Sequence, residues 1–287
     1  MKHSESMLEL IAANVRSALT EDVRDGDVTA TLIDGSVRSE AYVISRENAV
    51  LCGRAWFDET FFQCDPSCEI KWSLDDGENM KIDQKICTIT GNARAMVTAE
   101  RTALNFLQTL SGTATTTQKH VAEISTTQCR LLDTRKTIPL LRDAQKYAVV
   151  CGGGVNHRTG LYDGILIKEN HIEAAGSITE AIMQMKTNRP DMKIETEVET
   201  LAQLRDAITA GADILLLDNF SIEDIESAVK IADGKVQLEA SGGYALEDLA
   251  SVAATGVDFI SVGALTKHVK ATDFSMRFTT SFAPHQR

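Results

Sequence analysis

The spacing of apolar residues changes near residue 131, and this change predicts two parts of different architecture. Before it, helical spacing and short apolar runs alternate without a regular order. The predicted helices are 7–19, 55–63, 96–110 and 113–124, and the predicted strands are 41–51, 70–74 and 85–90. Ser111 and Gly112 separate the last two helices because glycine commonly ends a helix. We therefore predict a small α/β sandwich domain over residues 1–112.

From residue 131 onward, strand and helix patterns alternate. The predicted strands are 131–132, 165–167, 194–198, 214–217, 236–240 and 259–262, and the helices are 140–150, 178–186, 201–210, 222–232 and 246–254. Nearly continuous apolar strands separated by helices are typical of a parallel sheet that is covered on both faces. This α/β pattern suits a (β/α) barrel, although six strands fall short of eight. We predict a barrel domain over residues 113–273, with the tail 274–287 packed back on the sandwich.

Charge is distributed unevenly along the chain. Apolar residues make up 43% and charged residues 24%, which is ordinary for a globular protein, and the net charge is −12. Residues 130–171 nevertheless hold seven Lys or Arg against four acids, a local net charge of +3. A basic island in an acidic chain predicts a local anion site, and it disfavours a nucleic-acid surface, which needs a broad basic face.

Membrane insertion and secretion are not expected from this sequence. We find no apolar run of about 18 residues, and the first ten residues lack the apolar core of a secretory signal. The six cysteines lack paired CxxC spacing, so we expect reduced, mostly buried thiols, which fits a cytoplasmic location.

Chemically capable side chains cluster where the predicted strands end, which is where barrel enzymes carry their chemistry. In chain order they are Arg135 and Lys136, Lys168, Glu197 and Glu199, Asp218 and Asn219, Glu239, Ser241 to Gly243, and Gly263 with Ala264. The first strands supply cations, the middle strands carboxylates, and the last strands small residues. Arginine binds carboxylates and phosphates through two-point contacts, while lysine acts as a point charge.

Two of these groups have alternative interpretations. Glu197 and Asp218 could hold magnesium with a phosphate, or they could pair with the nearby cations. The loops at 241–243 and 263–264 could offer backbone N–H groups to a phosphate, or they could be tight turns.

Four further residues have a functional and an ordinary interpretation. Lys168 at a strand end could form a Schiff base in an aldolase-like barrel, which requires an apolar surround. We expect His157 to line the site, whereas His171 could simply bond the backbone nearby. Arg101 faces away from the apolar side of its helix, so it is either solvated or offered to another domain or subunit.

Several motifs together closely resemble one enzyme family, quinolinate phosphoribosyltransferase, also called carboxylating nicotinate-nucleotide pyrophosphorylase. They are residues 133–137, 146–149, 152–158 and 166–171, together with 100–106, 217–220 and 261–266. The resemblance covers nearly the whole chain. It implies an N-terminal α/β sandwich followed by an incomplete α/β barrel. The implied reaction converts quinolinate and phosphoribosyl pyrophosphate into nicotinate mononucleotide, pyrophosphate and CO2, with magnesium, in de novo NAD synthesis.

The resemblance also implies partners and residue roles. Family members are dimers or larger assemblies with shared active sites, so Arg101 is expected to enter the site of the other subunit. The residues expected around quinolinate are Arg135, His157, Arg158 and Lys168, with Arg101 from the partner. Those expected at the phosphoribosyl donor are Lys136 and Lys168, with Glu197 and Asp218 at magnesium and the ribose. Those expected at the 5-phosphate are Ser241, Gly242, Gly243, Gly263 and Ala264. Lys136, Lys168, Glu197 and Asp218 are the expected catalytic residues.

Departures from the family pattern are small. Leu140 stands where glycine usually follows Pro139, and Lys267 adds a cation near the phosphate loops. Competing interpretations are nicotinate phosphoribosyltransferase, a paralogue associated with molybdenum transport, a Schiff-base lyase that uses Lys168, and a non-catalytic metabolite sensor.

Overall fold

The computed structural model describes residues 3–279, which form two compact units. The first unit contains residues 3–116, 139–152 and 269–279, and the second contains 117–138 and 153–268. The chain therefore leaves the second unit after residue 138 and returns to it at residue 153.

Helices and strands are numbered in chain order. The helices are α1 (Glu5–Asp22), α2 (Arg54–Cys64), α3 (Ala93–Glu123), α4 (Arg142–Cys151), α5 (Glu169–Ala175), α6 (Ile178–Asn188), α7 (Leu201–Ala210), α8 (Ile222–Ala232), α9 (Leu249–Ala254) and α10 (Ala264–Lys267). The strands are β1 (Arg38–Ser45), β2 (Ala49–Val50), β3 (Glu69–Trp72), β4 (Asn79–Met80), β5 (Lys85–Asn92), β6 (Arg130–Leu132), β7 (Ile165–Ile167), β8 (Ile194–Val198), β9 (Ile214–Asp218), β10 (Gln237–Ser241), β11 (Phe259–Ser261) and β12 (Phe274–Phe278). Short 3₁₀ turns occur at Thr29–Leu32 and Leu246–Asp248.

The first unit is the predicted α/β sandwich. Its four-stranded antiparallel sheet has the order β12-β1-β5-β3. Phe57 and Phe61 of α2 and Leu104 and Leu107 of α3 pack in the core against the buried face of this sheet. Residues 274–278 of the predicted C-terminal tail form the edge strand β12, while residues 280–287 lie outside the described part of the chain.

Helix α3 shows that the predicted break at Ser111 and Gly112 is wrong. The helix runs without interruption from Ala93 to Glu123. A Cβ atom on Gly112 would lie 2.2 Å from the carbonyl oxygen of Lys270, so the glycine permits close packing of two backbone segments. Ser111 is buried, and its hydroxyl bonds both the N–H and the carbonyl of Cys52. Both residues are therefore explained by packing within the helix.

Other differences from the sequence predictions are local. The strand predicted at 41–51 is divided into β1 and β2 by a turn. In this turn the Ser45 hydroxyl donates a hydrogen bond to the carbonyl of Glu47. Helices α5 and α10 were not predicted, since each is too short to show helical spacing. Leu140 adopts φ of +65° and is exposed, a left-handed conformation that explains why glycine suits this position.

The second unit is an incomplete barrel. Its six parallel strands have the order β6-β11-β10-β9-β8-β7, so β6 and β7 are the two edges of the sheet. The sheet curves, because one cavity is lined by residues from all six strands or the turns that follow them. Beside the edge strand β6, Val155 forms a parallel bridge with Leu132. The predicted α/β fold with a parallel barrel short of eight strands is confirmed.

Candidate active site

A cavity of about 520 Å³ opens at the carboxyl ends of the barrel strands. It is lined by Thr134, Arg135, Lys136, His157, Arg158, Leu166, Lys168, Glu197, Leu216, Asp218, Glu239, Ser241 and Ser261. Nine of these residues were named from the sequence as candidates for the site, Glu239 only as a strand-end residue. The volume is within the range of small-molecule binding sites, and the lining is unusually rich in charge.

Strand periodicity delivers these side chains to the inside of the barrel. Side chains two residues apart on a strand point the same way, so Glu195 and Glu197 of β8 share one face. The register places Glu197 beside Leu216, and Leu216 beside Glu239. The barrel interior is therefore polar at a level where many barrels are filled by branched apolar residues.

Two arginines lie close enough for their charges to repel one another. Burial, and next the positive charge of Arg135, lower the pKa of Arg158. The Nη1 of Arg158 donates to the carbonyl of Gly164 at 3.1 Å. The Nε of Arg135 is buried and has no hydrogen-bond partner within residues 3–279. Adjacent guanidinium groups with unused donors favour a bound carboxylate or phosphate.

Opposite charges meet at the ends of β7, β8 and β9. The ammonium of Lys168 forms an ion pair with Glu197, and 45% of the Lys168 side chain is exposed. Burial, and next the negative charge of Glu197, raise the pKa of Asp218. The alternative that Glu197 pairs with a nearby cation is thus observed. A carboxylate whose pKa is raised by burial and by a neighbouring carboxylate also fits a hard cation, so the two interpretations are compatible.

Of the small residues expected at the 5-phosphate, Ser241 is among those that line the cavity, and Gly242, Gly243, Gly263 and Ala264 are not. Ser241 lines it, and Gly242 and Gly243 follow directly in the chain. A Cβ atom on Gly263 would lie 2.9 Å from Cδ of Lys136, and Ala264 begins helix α10. The hydroxyl of Thr266 donates to the carbonyl of Lys136 at 2.8 Å. Gly263 therefore leaves space for the Lys136 side chain.

His157 is fixed by contacts on three sides. Its backbone N–H donates to Oδ1 of Asp133 at 2.9 Å, and Asp133 is fully buried. Its Nδ1 accepts the backbone N–H of Arg158 at 2.7 Å. Its Nε2 lies 2.8 Å from Oε2 of Glu195 and 3.5 Å from Oε2 of Glu239.

The two glutamates beneath His157 form a buried pair. Burial, followed by the charge of Glu195, raises the pKa of Glu239 to about 8. Glu239 is therefore protonated at neutral pH, and its hydrogen bond to Glu195 joins the two carboxyl groups through one proton. Sequence reasoning missed Glu195 and the support from Asp133. The spacing of two residues between Glu195 and Glu197 was the available signal, since it predicts a shared face.

Three remaining residues lie away from this cavity lining or have local partners. Arg101 is exposed on α3 and belongs to the first unit. His171 lies in the first turn of α5, where its Nδ1 accepts the backbone N–H of Lys168 at 3.0 Å, as the simpler interpretation expected. Lys267 is exposed in the last turn of α10.

Two broader features bear on the expected class of protein. Among residues 3–279 we find no helix with the length and apolar character needed to cross a bilayer. All six cysteines are unpaired thiols, and Cys52, Cys87, Cys129 and Cys151 are buried. The prediction that the thiols are mostly buried is confirmed.

Comparison with known proteins gives a consistent answer over both units. Residues 27–111 match the family "Quinolinate phosphoribosyl transferase, N-terminal domain", and residues 113–277 match its C-terminal domain. A probable nicotinate-nucleotide pyrophosphorylase [carboxylating] from Bacillus subtilis is 42% identical over 262 residues, which is 91% of either chain. The Mycobacterium leprae nicotinate-nucleotide pyrophosphorylase [carboxylating] is 40% identical, covering 91% of this chain and 95% of that one.

A solved structure agrees with these sequence matches. The nicotinate-nucleotide pyrophosphorylase from Francisella tularensis superposes with a TM-score of 0.93 and 49% identity, covering 95% of this chain and 97% of that one. The family matches together span both units. The chain belongs to the quinolinate phosphoribosyl transferase family.

Proposed function

We propose that this protein transfers the phosphoribosyl group of phosphoribosyl pyrophosphate to the ring nitrogen of quinolinate and removes the 2-carboxylate. The products are nicotinate mononucleotide, pyrophosphate and CO2, which supplies de novo NAD synthesis. One observation carries the proposal: the cations predicted from separate motifs converge on one cavity at the barrel mouth, with carboxylates on the neighbouring strands.

Binding of the diacid rests on the arginines. Quinolinate carries two adjacent carboxylates, and Arg135 and Arg158 are adjacent guanidinium groups with unused hydrogen-bond donors. Each planar guanidinium can hold one carboxylate through two parallel hydrogen bonds. Lys168 lies on the same wall, where it adds positive charge between the diacid and the sugar.

The donor fits the rest of the cavity. Glu197, Asp218 and Lys136 line the cavity. We assign Glu197 and Asp218 to the ribose hydroxyls, as hydrogen-bond acceptors, and Lys136 to the departing pyrophosphate. The 5-phosphate suits the backbone N–H groups of the loops at 241–243 and 263–264. As the ring nitrogen attacks the anomeric carbon and pyrophosphate leaves, positive charge develops on the ribose. Carboxylates beside the ribose stabilise that charge.

Loss of CO2 follows from the product of the transfer. The ring nitrogen is then quaternary and positively charged, so the electron pair left at the neighbouring ring carbon is stabilised. A proton must finally reach that carbon, and Lys168 is an ammonium on the cavity wall that can donate one.

Magnesium fits the donor set. Glu197 and Asp218 provide hard oxygen ligands, and burial together with the charge of Glu197 raises the pKa of Asp218, an effect that a bound cation would oppose. These two residues would hold the ion, which would neutralise charge on the pyrophosphate when bound.

We propose a cytoplasmic homodimer in which Arg101 from one subunit completes the site of the other. The exposure of Arg101 on α3 supports this role, because the side chain is accessible to another protein. The net charge of −12 disfavours nucleic-acid partners.

A Schiff-base mechanism is a weaker alternative. Such a lysine must lose its proton, and that requires an apolar surround. The surround of Lys168 is instead charged, because its ammonium forms an ion pair with Glu197.

The decisive experiment is an assay for nicotinate mononucleotide from quinolinate and phosphoribosyl pyrophosphate, with nicotinate as control acceptor. Product formed with quinolinate but not with nicotinate as the acceptor supports the proposal. Product formed with nicotinate favours nicotinate phosphoribosyltransferase. Binding without pyrophosphate release indicates a metabolite sensor. A lysine adduct trapped by borohydride, without any need for phosphoribosyl pyrophosphate, supports the lyase.

Variants then test the assigned residues. Arg135→Ala and Lys136→Ala should each abolish turnover while circular dichroism shows an intact fold, and wild-type rates would refute the assignment. Mixing Arg101→Ala protein with Lys168→Ala protein should restore part of the activity, because hybrid dimers regain one complete site. No recovery would contradict a shared site.

A further inference from the structure

The partly buried His157 and the buried Glu195 and Glu239 form a trio in the wall of the proposed site. His157 and Glu239 line the cavity at the carboxyl ends of the strands, and all three line a second cavity towards the amino ends. Glu195 and Glu239 are 6% and 2% exposed, and each keeps one buried oxygen without a hydrogen-bond partner. Buried polar groups of this kind are expensive unless they serve a structural or chemical purpose.

The contacts of the imidazole determine where its proton lies. A backbone N–H can only donate, so the hydrogen bond from Arg158 requires a lone pair on Nδ1 of His157. A neutral imidazole with this lone pair carries its single proton on Nε2. In an imidazolium, the Nδ1–H would face the backbone N–H of Arg158, and the two donors would repel one another. The Nε2–H therefore points at Oε2 of Glu195, 2.8 Å away.

This arrangement excludes a metal ion held by the trio. The three ligand atoms lie within 4.8 Å of one another, a separation that a cation could bridge. A metal ligand must offer a lone pair, however, and the lone pair of His157 is already used at Nδ1.

We infer that Glu195 is a positioning residue for substrate binding: it holds His157 as the neutral Nε2–H tautomer, whose Nδ1 then fixes the backbone amide of Arg158. The inference rests on the proposed function for its substrate, but the tautomer itself does not. Asp133 holds the same turn from the other side by accepting the N–H of His157.

The hydrogen bond between Glu195 and His157 matters mainly because it orients Arg158. The Arg158 guanidinium reaches the cavity from a backbone whose direction is set by the Nδ1 contact. If that contact is lost, the guanidinium no longer meets the diacid in a fixed orientation, and affinity for the diacid falls. The phosphoribosyl donor, which faces other residues, is affected much less.

Steady-state kinetics on two variants of Glu195 provide the functional test. Glu195→Ala should raise KM for quinolinate at least roughly tenfold, the loss of one hydrogen bond to a charged group. KM for phosphoribosyl pyrophosphate should change less than about threefold, since its residues are untouched. Glu195→Gln keeps an acceptor for Nε2–H and should restore KM to within about threefold of wild type. Glu226→Gln, an exposed change on α8, is the matched control.

Nitrogen NMR of histidine-labelled protein provides a test that does not need activity. His157 is assigned by the signals lost in a His157→Gln variant. At neutral pH it should show an unprotonated Nδ1 and a protonated Nε2, and this pattern should be lost in Glu195→Ala. An imidazolium, or the Nδ1–H tautomer, would overturn the inference even if the enzyme is active. Equal increases of both KM values in Glu195→Ala would also overturn it, whereas absent activity in the wild type with the expected tautomer would count against the proposed function alone.

Discussion

Replacing Glu239 with glutamine should change how the stability of the protein depends on pH. Burial and the charge of Glu195 raise the pKa of Glu239 from 4.5 to about 8. Between those values the folded protein holds a proton that the unfolded chain has released. The stabilising contribution of the protonated carboxyl is therefore complete below the unfolded pKa, and it is lost as the pH rises towards the folded pKa.

The size of the effect follows from one proton. A difference of one bound proton changes the free energy of unfolding by about 1.4 kcal/mol per pH unit. Across the roughly two pH units below neutrality the upper limit is therefore about 2.8 kcal/mol. Since Glu239 shares its proton with Glu195, we expect about 1 to 2 kcal/mol. The amide of the Glu239→Gln variant is neutral at every pH, so it does not suffer this loss.

Urea unfolding followed by circular dichroism, at several values between about pH 5 and pH 8, measures the difference. The free energy of unfolding of Glu239→Gln, relative to wild type, should increase steadily with pH. Glu226→Gln removes an exposed carboxylate and should leave the profile parallel to that of wild type. A Glu239→Gln profile that is also parallel would show that Glu239 is ionised in the folded protein, and the shared proton would be refuted.

Three further substitutions test the packing and backbone described above. Gly112→Ala should lower the free energy of unfolding by about 1 to 3 kcal/mol, because its Cβ would lie 2.2 Å from the carbonyl oxygen of Lys270; unchanged urea midpoints would contradict this close approach. Leu140→Gly should raise the thermal midpoint or leave it unchanged, because glycine relieves about 1 kcal/mol of left-handed strain; a clear decrease would refute the strain. Gly263→Ala should reduce kcat/KM for phosphoribosyl pyrophosphate roughly tenfold with little change in melting temperature, because the new Cβ would displace Lys136; unaltered kinetics would contradict the assigned position of that side chain.

Local sequence patterns predicted most of the barrel because its strands and helices have distinct periods. Strands β7 and β8 were predicted with their observed bounds. β7 is a short apolar run, whereas β8 has apolar residues only at its two ends, Ile194 and Val198. The continuity of α3 could not be predicted in the same way. In the sequence, a glycine that ends a helix cannot be told from one that allows a distant carbonyl to pack closely against the helix. At Gly112 the position of the Lys270 carbonyl decides between the two, and it is known only from the structure.

Some residues of the candidate site could likewise be predicted from local sequence, and others could not. Charged residues at strand ends, such as Arg135 and Lys168, follow from the general placement of chemistry in barrels. The support beneath His157 does not, because a hydrogen bond between β8 and the segment beside β6 joins parts of the chain that are far apart in sequence. Glu195 was therefore missed, although its spacing from Glu197 placed it on the correct face.

The proximity of Arg135 and Arg158 has a consequence for the empty protein. Folding brings the positive charges of these two side chains close together, and they repel one another unless a bound anion offsets the repulsion. The unliganded enzyme is accordingly less stable than its fold allows, and a bound polyanion restores the difference by mass action. The same repulsion between the two arginines therefore favours binding of an anion and lowers the stability of the protein without one.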